Sequence, residues 1–312
     1  MLLYLAAIVV GIVALTLSAD RFVEGASGVA LKFNISPLII GMTIVAIGTS
    51  APEVLVSIMA VTSDAPDLAV GNAVGSNIAN IGLALGISAL VLAVPLSGSV
   101  KRNALPALLG ITVLGIAIAI DGTLNWIDGV IILTGGALAT WYASRGGEPE
   151  EMPEGTDSMS LARSWAYLLA GLAILLGSSR LLVWGASNFA LDLGVPEVIV
   201  GLTIVAIGTS LPEVAASVAG ALKGQSEIAI GNVVGSNIFN IGGVFAVTGL
   251  LAEVSISDTT LLRDFGLMLV MTLIICAAAW FRSGTPKIGK PLGLTLLAIY
   301  LSYLGYLAWS SL

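Results

Sequence analysis

Seven windows of this chain, 68–100, 103–120, 129–144, 164–179, 228–252, 265–281 and 291–312, contain no charged residue. A helix crosses the hydrocarbon core of a bilayer in about 20 residues. A chain that withholds charge over such lengths, again and again, is built for lipid. Composition agrees: 57% of the 312 residues are hydrophobic and 10% are charged, against roughly 25% charged in a soluble domain. Mean hydropathy is +1.04. Apolar windows read against turn and charge signals predict ten spans, at 2–31, 38–61, 68–94, 103–120, 124–143, 163–191, 198–221, 228–251, 262–281 and 289–310. The expected fold class is an all-α polytopic membrane protein. The opening "MLLYLAAIVV" lacks a basic n-region and a cleavage site, so it reads as the first span and not as a signal peptide.

The residue inventory limits the chemistry. The net charge of −7 reflects acid in loops, notably "EPEEMPEGTD" at 148–157, and clustered basic patches of the nucleic-acid type are absent. There is no histidine and a single cysteine, Cys276, within an apolar span. That excludes a disulfide within the chain and argues against zinc, haem or soft-metal cofactors. No metal triad or nucleophile–base pair points to an enzyme. Whatever this chain handles, it handles with oxygen ligands.

The stretch "GMTIVAIGTSAPE" at 41–53 returns as "GLTIVAIGTSLPE" at 201–213. At a constant offset of 160, residues 41–82 align with 201–242 without a gap and with 24 identities in 42 positions. The identities include Gly, Thr, Ser, Pro, Glu and Asn, which shared hydrophobicity alone does not produce, so the chain is an internal duplication. The expected organisation is one five-helix repeat at 1–143, a cytoplasmic acidic linker at 144–162, and a second five-helix repeat at 163–312. Five is odd, so the second copy must enter the membrane from the opposite side. With the N-terminus outside, the cytoplasmic flanks collect Lys32, Lys101, Arg102, Arg145, Arg163, Lys223, Arg282, Lys287 and Lys290, and the external ones only Arg263. The positive-inside rule therefore predicts both termini outside.

Inverted repeats with broken helices are the pattern of secondary transporters, whose sites lie near the bilayer midplane. Pro52 and Pro212 are expected to break spans two and seven, freeing carbonyls near Gly48 and Gly208. Unwound backbone at that depth is tolerated where it lines a cavity. Glu53 and Glu213 are mid-span acids with no lysine or arginine in spans two, three, seven or eight to pair with. Brought together at a pseudo-twofold axis they repel, and a bound cation removes the conflict. Spans three and eight carry "GNAVGSNIANIG" (71–82) and "GNVVGSNIFNIG" (231–242). Ser76 with Asn80, and Ser236 with Asn240, are i,i+4 pairs on one helix face. Asn72, Asn77, Asn232 and Asn237 are expected to hydrogen-bond at the helix breaks more than to touch an ion. Carboxylates, hydroxyls, amide oxygens and freed carbonyls together suit a hard cation such as calcium or sodium.

The paired "GTSAPE" and "GTSLPE" motifs, each followed by "GNxVGSNIxNIG", resemble the α-repeats of sodium/calcium exchangers in the cation/calcium antiporter superfamily, of the prokaryotic type. The resemblance covers nearly the whole chain. It implies ten spans with helices 2, 3, 7 and 8 broken, and ion ligands at Ala46, Thr49, Ser50, Glu53, Ser76 and Asn80, with Ala206, Thr209, Ser210, Glu213, Ser236 and Asn240 in the second half. The alanines would contribute carbonyls. Asn240 is an aspartate in some archaeal relatives and in potassium-dependent exchangers, so its amide argues against potassium co-transport. The implied activity is electrogenic exchange of sodium for calcium by alternating access, in a plasma membrane, with a monomer sufficient. The first and sixth spans resemble a pair that slides across a fixed core. Asp20, Arg21, Glu24 and Arg180 in that pair are expected to ion-pair locally or snorkel. The acidic linker lacks the spacing of a calcium-binding EF-hand loop and reads as solvated. The rival within the superfamily is a calcium/proton antiporter, whose members usually carry an acid where this chain has "GSN". A passive cation channel is the reading from a different class.

Overall fold

The computed structural model describes residues 1–145, 159–196, 200–281 and 286–310, and is helical over nearly all of them. The spans are α1 (Leu2–Lys32), α2 (Pro37–Thr49 and Ala51–Thr62), α3 (Pro66–Val91), α4 (Val100–Ala119), α5 (Trp126–Ser144), α6 (Leu161–Asp192), α7 (Thr203–Thr209 and Leu211–Leu222), α8 (Ser226–Leu251), α9 (Thr260–Trp280) and α10 (Lys290–Ser310). Starts follow local chemistry. Ser36 caps α2 through the Leu38 N–H with Pro37 in the first turn, and Asn125 and Asp128 form a capping box at α5.

The interruptions expected in four spans take two forms. In α2 and α7 two half-helices, α2a and α2b or α7a and α7b, meet at bends of 42° and 53°. In α3 and α8 the helix stays continuous but widens to π-type turns at Asn80–Leu85 and Asn240–Phe245, a local adjustment common at functional sites. The acidic linker expected at 144–162, with its proposed solvated character, falls mostly outside the described residues.

Short strand pairs establish the parity of the spans. β1 (Val94–Pro95), after α3, pairs antiparallel with β4 (Lys287–Ile288), before α10. β2 (Thr123–Leu124), before α5, pairs with β3 (Val254–Ser255), after α8. Each pair joins loops separated by an even number of spans only if bent α7 crosses the bilayer once. The N-terminal ammonium lies 3.8 Å from Asp192 at the end of α6, which makes the same demand of α2. The chain therefore crosses ten times, as two five-helix repeats of opposite orientation.

α3 and α8 are the centre of the molecule, with 78% of their most apolar windows buried, against 22% in α5 and α10. A large apolar cluster gathers α3, α4, α8, α9 and α10, and a second joins α1 and α6 to α2 and α7. α1 and α6 have 31 and 32 residues, about 48 Å at 1.5 Å per residue, so they must tilt to fit a core of about 30 Å. They cross by close backbone approach. A Cβ at Gly11 would meet Leu182 at 2.9 Å and one at Gly171 would meet the Phe22 amide at 2.7 Å, with Gly25 against Leu168 and Gly185 against Tyr4 completing the symmetric set. Of the charges in this pair, Arg21 and Glu24 are matched locally, with Nη1 2.9 Å from Oε2, while Asp20 Oδ1 lies 4.0 Å from Nζ of Lys223, just after α7 in the other repeat. Arg180 is exposed.

Candidate cation site

Each bend falls on a serine. Ser50 (φ −86°, ψ 7°) and Ser210 (φ −89°, ψ 2°) leave the helical region, and Pro52 and Pro212 stand in the first turn of the half-helix that follows. Proline is accepted there because first-turn N–H groups have no intrahelical partner anyway. The proline thus restarts the helix just after a break that lies two residues before it. The carbonyl expected to be freed at Gly208 accepts a 2.9 Å hydrogen bond from Ser179 Oγ of α6. Glu53 and Glu213 fall in the first turns of α2b and α7b, where the helix dipole favours negative charge. Both are buried, at 1% and 0% exposure.

Amides from α3 and α8 hold these turns. Asn72 Nδ2 donates to the Glu53 carbonyl at 3.0 Å and to Ser57 Oγ at 3.0 Å. Asn232 Nδ2 repeats both bonds, to the Glu213 carbonyl at 3.2 Å and Ser217 Oγ at 2.9 Å. Where α3 crosses α8, Asn80 Nδ2 donates to Asn237 Oδ1 at 3.0 Å and Asn77 Nδ2 to the Asn237 carbonyl at 3.3 Å. Asn72, Asn77 and Asn232 therefore act as structural donors, whereas Asn237 accepts through its Oδ1 and its carbonyl and its own Nδ2 has no partner. Ser57 and Ser217 were not singled out from the sequence, although both stand among the identities between the repeats. Ser179 was also missed, and nothing in the sequence marks it.

Two further links cross between the repeats at the bends: Ser50 Oγ donates to Glu213 Oε1 at 3.0 Å, and Thr49 Oγ1 to Asn232 Oδ1 at 3.2 Å. The alanine carbonyls at 46 and 206 each accept from the threonine of their own turn, at 3.3 and 3.2 Å. Around this centre the structure leaves a concentration of unpartnered atoms. Of the twelve fully buried side-chain N and O atoms without a hydrogen bond among the described residues, nine lie here. Seven are oxygens: Glu53 Oε2, Glu213 Oε2, Asn77 Oδ1, Asn80 Oδ1, Asn240 Oδ1, Ser210 Oγ and Ser236 Oγ. An unmade buried hydrogen bond costs about 1–3 kcal/mol. Native proteins do not leave two carboxylate oxygens and five further buried oxygens unpaired without something for them to bind.

The two halves of the site are not in the same state. A cavity of about 560 Å³ enters from the end that carries β2 and β3, and reaches Asn72 and Ser76 of α3 and Ala206 and Thr209 of α7a. α7a stands off α3: a Cβ added at Gly71, Gly75 or Gly201 would touch nothing within 4 Å. In the other half α2a is pressed onto α8. A Cβ at Gly231 would meet the Leu38 carbonyl at 2.7 Å, one at Gly41 the Ile228 carbonyl at 2.8 Å, and one at Gly235 the backbone of Met42. Thr49 and Ala46 are fully buried while Ala206 is exposed. Thr49 and Ser50 thus meet Asn232 and Glu213 of the other repeat, while Ser76, Ala206 and Thr209 line a cavity that opens toward one end of the protein.

This arrangement belongs to a known architecture. The family model for the sodium/calcium exchanger protein matches residues 3–143 and again 163–309, one match for each repeat. The chain belongs to the sodium/calcium exchanger family. It is 40% identical to a putative antiporter, CaxA, of Alkalimonas amylolytica over 97% of this chain and 98% of that one. It is 39% identical to the inner membrane protein YrbG of Escherichia coli (strain K12), over 100% and 98% of the two chains. A solved structure of the sodium-calcium exchanger NCX_Mj superposes with a TM-score of 0.85 at 34% identity, covering 97% of this chain and 98% of that one. The all-helical fold with inverted repeats and the multi-pass membrane location hold for this exchanger-family chain.

Proposed function

We propose that this family member exchanges sodium for calcium across the membrane by alternating access. The observation that carries the reading is the set of seven unpartnered buried oxygens that includes one from each of Glu53 and Glu213, with a cavity leading in from one end. Under this reading the ligands are Glu53, Glu213, Ser50, Ser210, Thr49, Thr209, Ser76, Ser236, Asn80 and Asn240, with the carbonyls of Ala46 and Ala206. Two carboxylates offset one calcium ion or two sodium ions, so a third sodium leaves the loaded carrier positive and the exchange electrogenic. Competition for one set of oxygens couples the two fluxes.

Alternation follows from the asymmetry already described. Closing α7a onto α3 brings Thr209 and Ser210 toward Asn72 and Glu53, as Thr49 and Ser50 now meet Asn232 and Glu213. Releasing α2a from α8 opens the other end. α6 of the tilted pair packs against both half-helices that must move, Leu172 against Gly48 of α2a and Val183 against Gly208 of α7a. With basic residues facing the cytoplasm, both termini lie outside and the cavity faces the exterior.

The test is calcium uptake into proteoliposomes loaded with sodium and diluted into sodium-free buffer at clamped pH. Uptake that collapses when sodium is equal on both sides supports sodium-coupled antiport. Uptake that ignores sodium and follows an imposed pH gradient replaces it with calcium/proton antiport through the same glutamates.

A further inference from the structure

The wall of the open cavity carries a charged triad that the twelve candidate ligands do not include. Arg263 lies in the first turn of α9 and grips its neighbour Asp264 with two parallel bonds, Nε to Oδ1 at 2.7 Å and Nη2 to Oδ2 at 2.9 Å. Tyr303 of α10 donates its hydroxyl to Asp264 Oδ1 at 2.9 Å. All three residues line the cavity, with Asp67 at the start of α3 also lining it. The Asp264 side chain is 7% exposed and that of Arg263 31%. A buried ion pair is poor evidence for stability, because desolvation offsets most of the attraction. Its position beside a cation pathway asks for another account.

The inverted repeat supplies one. At the offset of 160, Arg263 and Asp264 correspond to Asn103 and Ala104. In the last span the register is 164, because Gly293 packs on Gly86 and Ala89 as Gly129 packs on Ala246 and Leu250. Tyr303 therefore corresponds to Ala139. All three members are missing from the equivalent positions of the other repeat. In a carrier made of two copies, such a difference separates the two access routes.

We infer that Asp264 and Tyr303 hold the Arg263 guanidinium against the cavity wall, neutralised and out of the path, and that this triad sets how readily cations enter from this end. The inference rests on the reading that this cavity admits cations. A guanidinium released from Asp264 keeps its charge at any physiological pH and repels cations in the cavity. A carboxylate left without Arg263 attracts them. The roles are positioning for Asp264 and Tyr303, and charge for Arg263.

The experiment compares right-side-out and inside-out membrane vesicles carrying the wild type, Asp264→Asn, Arg263→Gln and the double variant, measuring the apparent KM for calcium at each face. Asp264→Asn is expected to raise KM at the face of the open cavity by about tenfold, and Arg263→Gln to lower it by about threefold. The double variant returns it close to wild type, and the opposite face does not change. Tyr303→Phe, a milder change that keeps the pair, is expected to shift KM in the direction of Asp264→Asn. Equal shifts at both faces, or a fall in maximal rate with KM constant, would overturn the inference and leave the triad a packing tie between α9 and α10. Equilibrium binding of radioactive calcium to the detergent-solubilised proteins needs no transport. The affinity order Arg263→Gln, wild type, Asp264→Asn supports the triad's role even if sodium proves not to be the coupling ion. Equal affinities, or no calcium binding by the wild type, overturn it.

Discussion

Ser50 Oγ donates to Glu213 Oε1 at 3.0 Å, while Ser210, its counterpart in the repeat, has no partner for its hydroxyl and Glu53 Oε2 has none either. One inter-repeat link is made and its mirror image is open. The same holds for Thr49, which reaches Asn232, against Thr209, which reaches only its own turn. A duplicated sequence is thus caught with its two copies in different conformations, as an alternating carrier requires.

The glutamates give the first prediction. Glu53→Gln and Glu213→Gln keep the shape of the side chain and its place in the first turn of α2b or α7b. Each removes a charge-assisted ligand bond of about 1.5–3 kcal/mol, and therefore one to two decades of calcium affinity. Sodium-driven calcium uptake should fall at least tenfold in both, with the detergent-solubilised proteins still eluting as folded species. Wild-type uptake in either variant rules out its glutamate as an ion ligand.

Asn72 and Asn232 each bridge a glutamate carbonyl and a serine of the neighbouring half-helix. Replacing either with Ala leaves those acceptors unpaired, at about 1–3 kcal/mol. Asn232 is fully buried, while Asn72 borders the open cavity where water can substitute. Thermal melts should therefore show a larger loss for Asn232→Ala than for Asn72→Ala. Equal losses would mean that water does not reach Asn72.

Gly75 and Gly235 are equivalent positions with different surroundings. Nothing lies within 4 Å of a Cβ at Gly75, whereas one at Gly235 collides with the backbone of Met42. Gly75→Leu should fit the present conformation and obstruct closure of α7a on α3. Exchange is expected to stop while calcium still binds. A Thr209→Cys reporter, in a Cys276→Ala background, should then react with a polar thiol reagent from one face only. Reactivity from both faces, or normal exchange, defeats the proposed closing motion.

Much of this was legible in the sequence, and the limits have physical causes. The ten spans, the duplication and the inverted orientation follow from charge-free windows, identities at one offset and an odd number of spans. The glutamates fall at the breaks because the motif that breaks α2 and α7 is the motif that carries them. The location of the break was less legible. A proline signals a helix interruption, but whether the helix stops at the proline or restarts with it depends on whether the preceding residue can leave helical geometry, and Ser50 does so two positions earlier. The asymmetry was not legible at all, because near-identical repeats cannot say which half is closed. Arg263 showed in the sequence only as a lone external base; Tyr303, the second partner of its neighbour Asp264, is 39 residues from that aspartate and meets it through the packing of α10 on α9.

Asn240 supplies the last prediction. Its side chain is fully buried and neither its oxygen nor its nitrogen has a partner, whereas Asn80 uses its nitrogen on Asn237. The amide at 240 is therefore held by packing alone. Asn240→Asp adds a third carboxylate at nearly constant volume. Three negative charges need more than one calcium ion to neutralise them, so the variant has to take up an additional monovalent cation with calcium or bind a proton at that position. Calcium uptake should then become dependent on potassium or on pH in the variant, while the wild type is indifferent to potassium. Uptake by Asn240→Asp with unchanged dependence on sodium, potassium and pH would place residue 240 outside the ion-binding cavity and reduce the proposed ligand set to eleven positions.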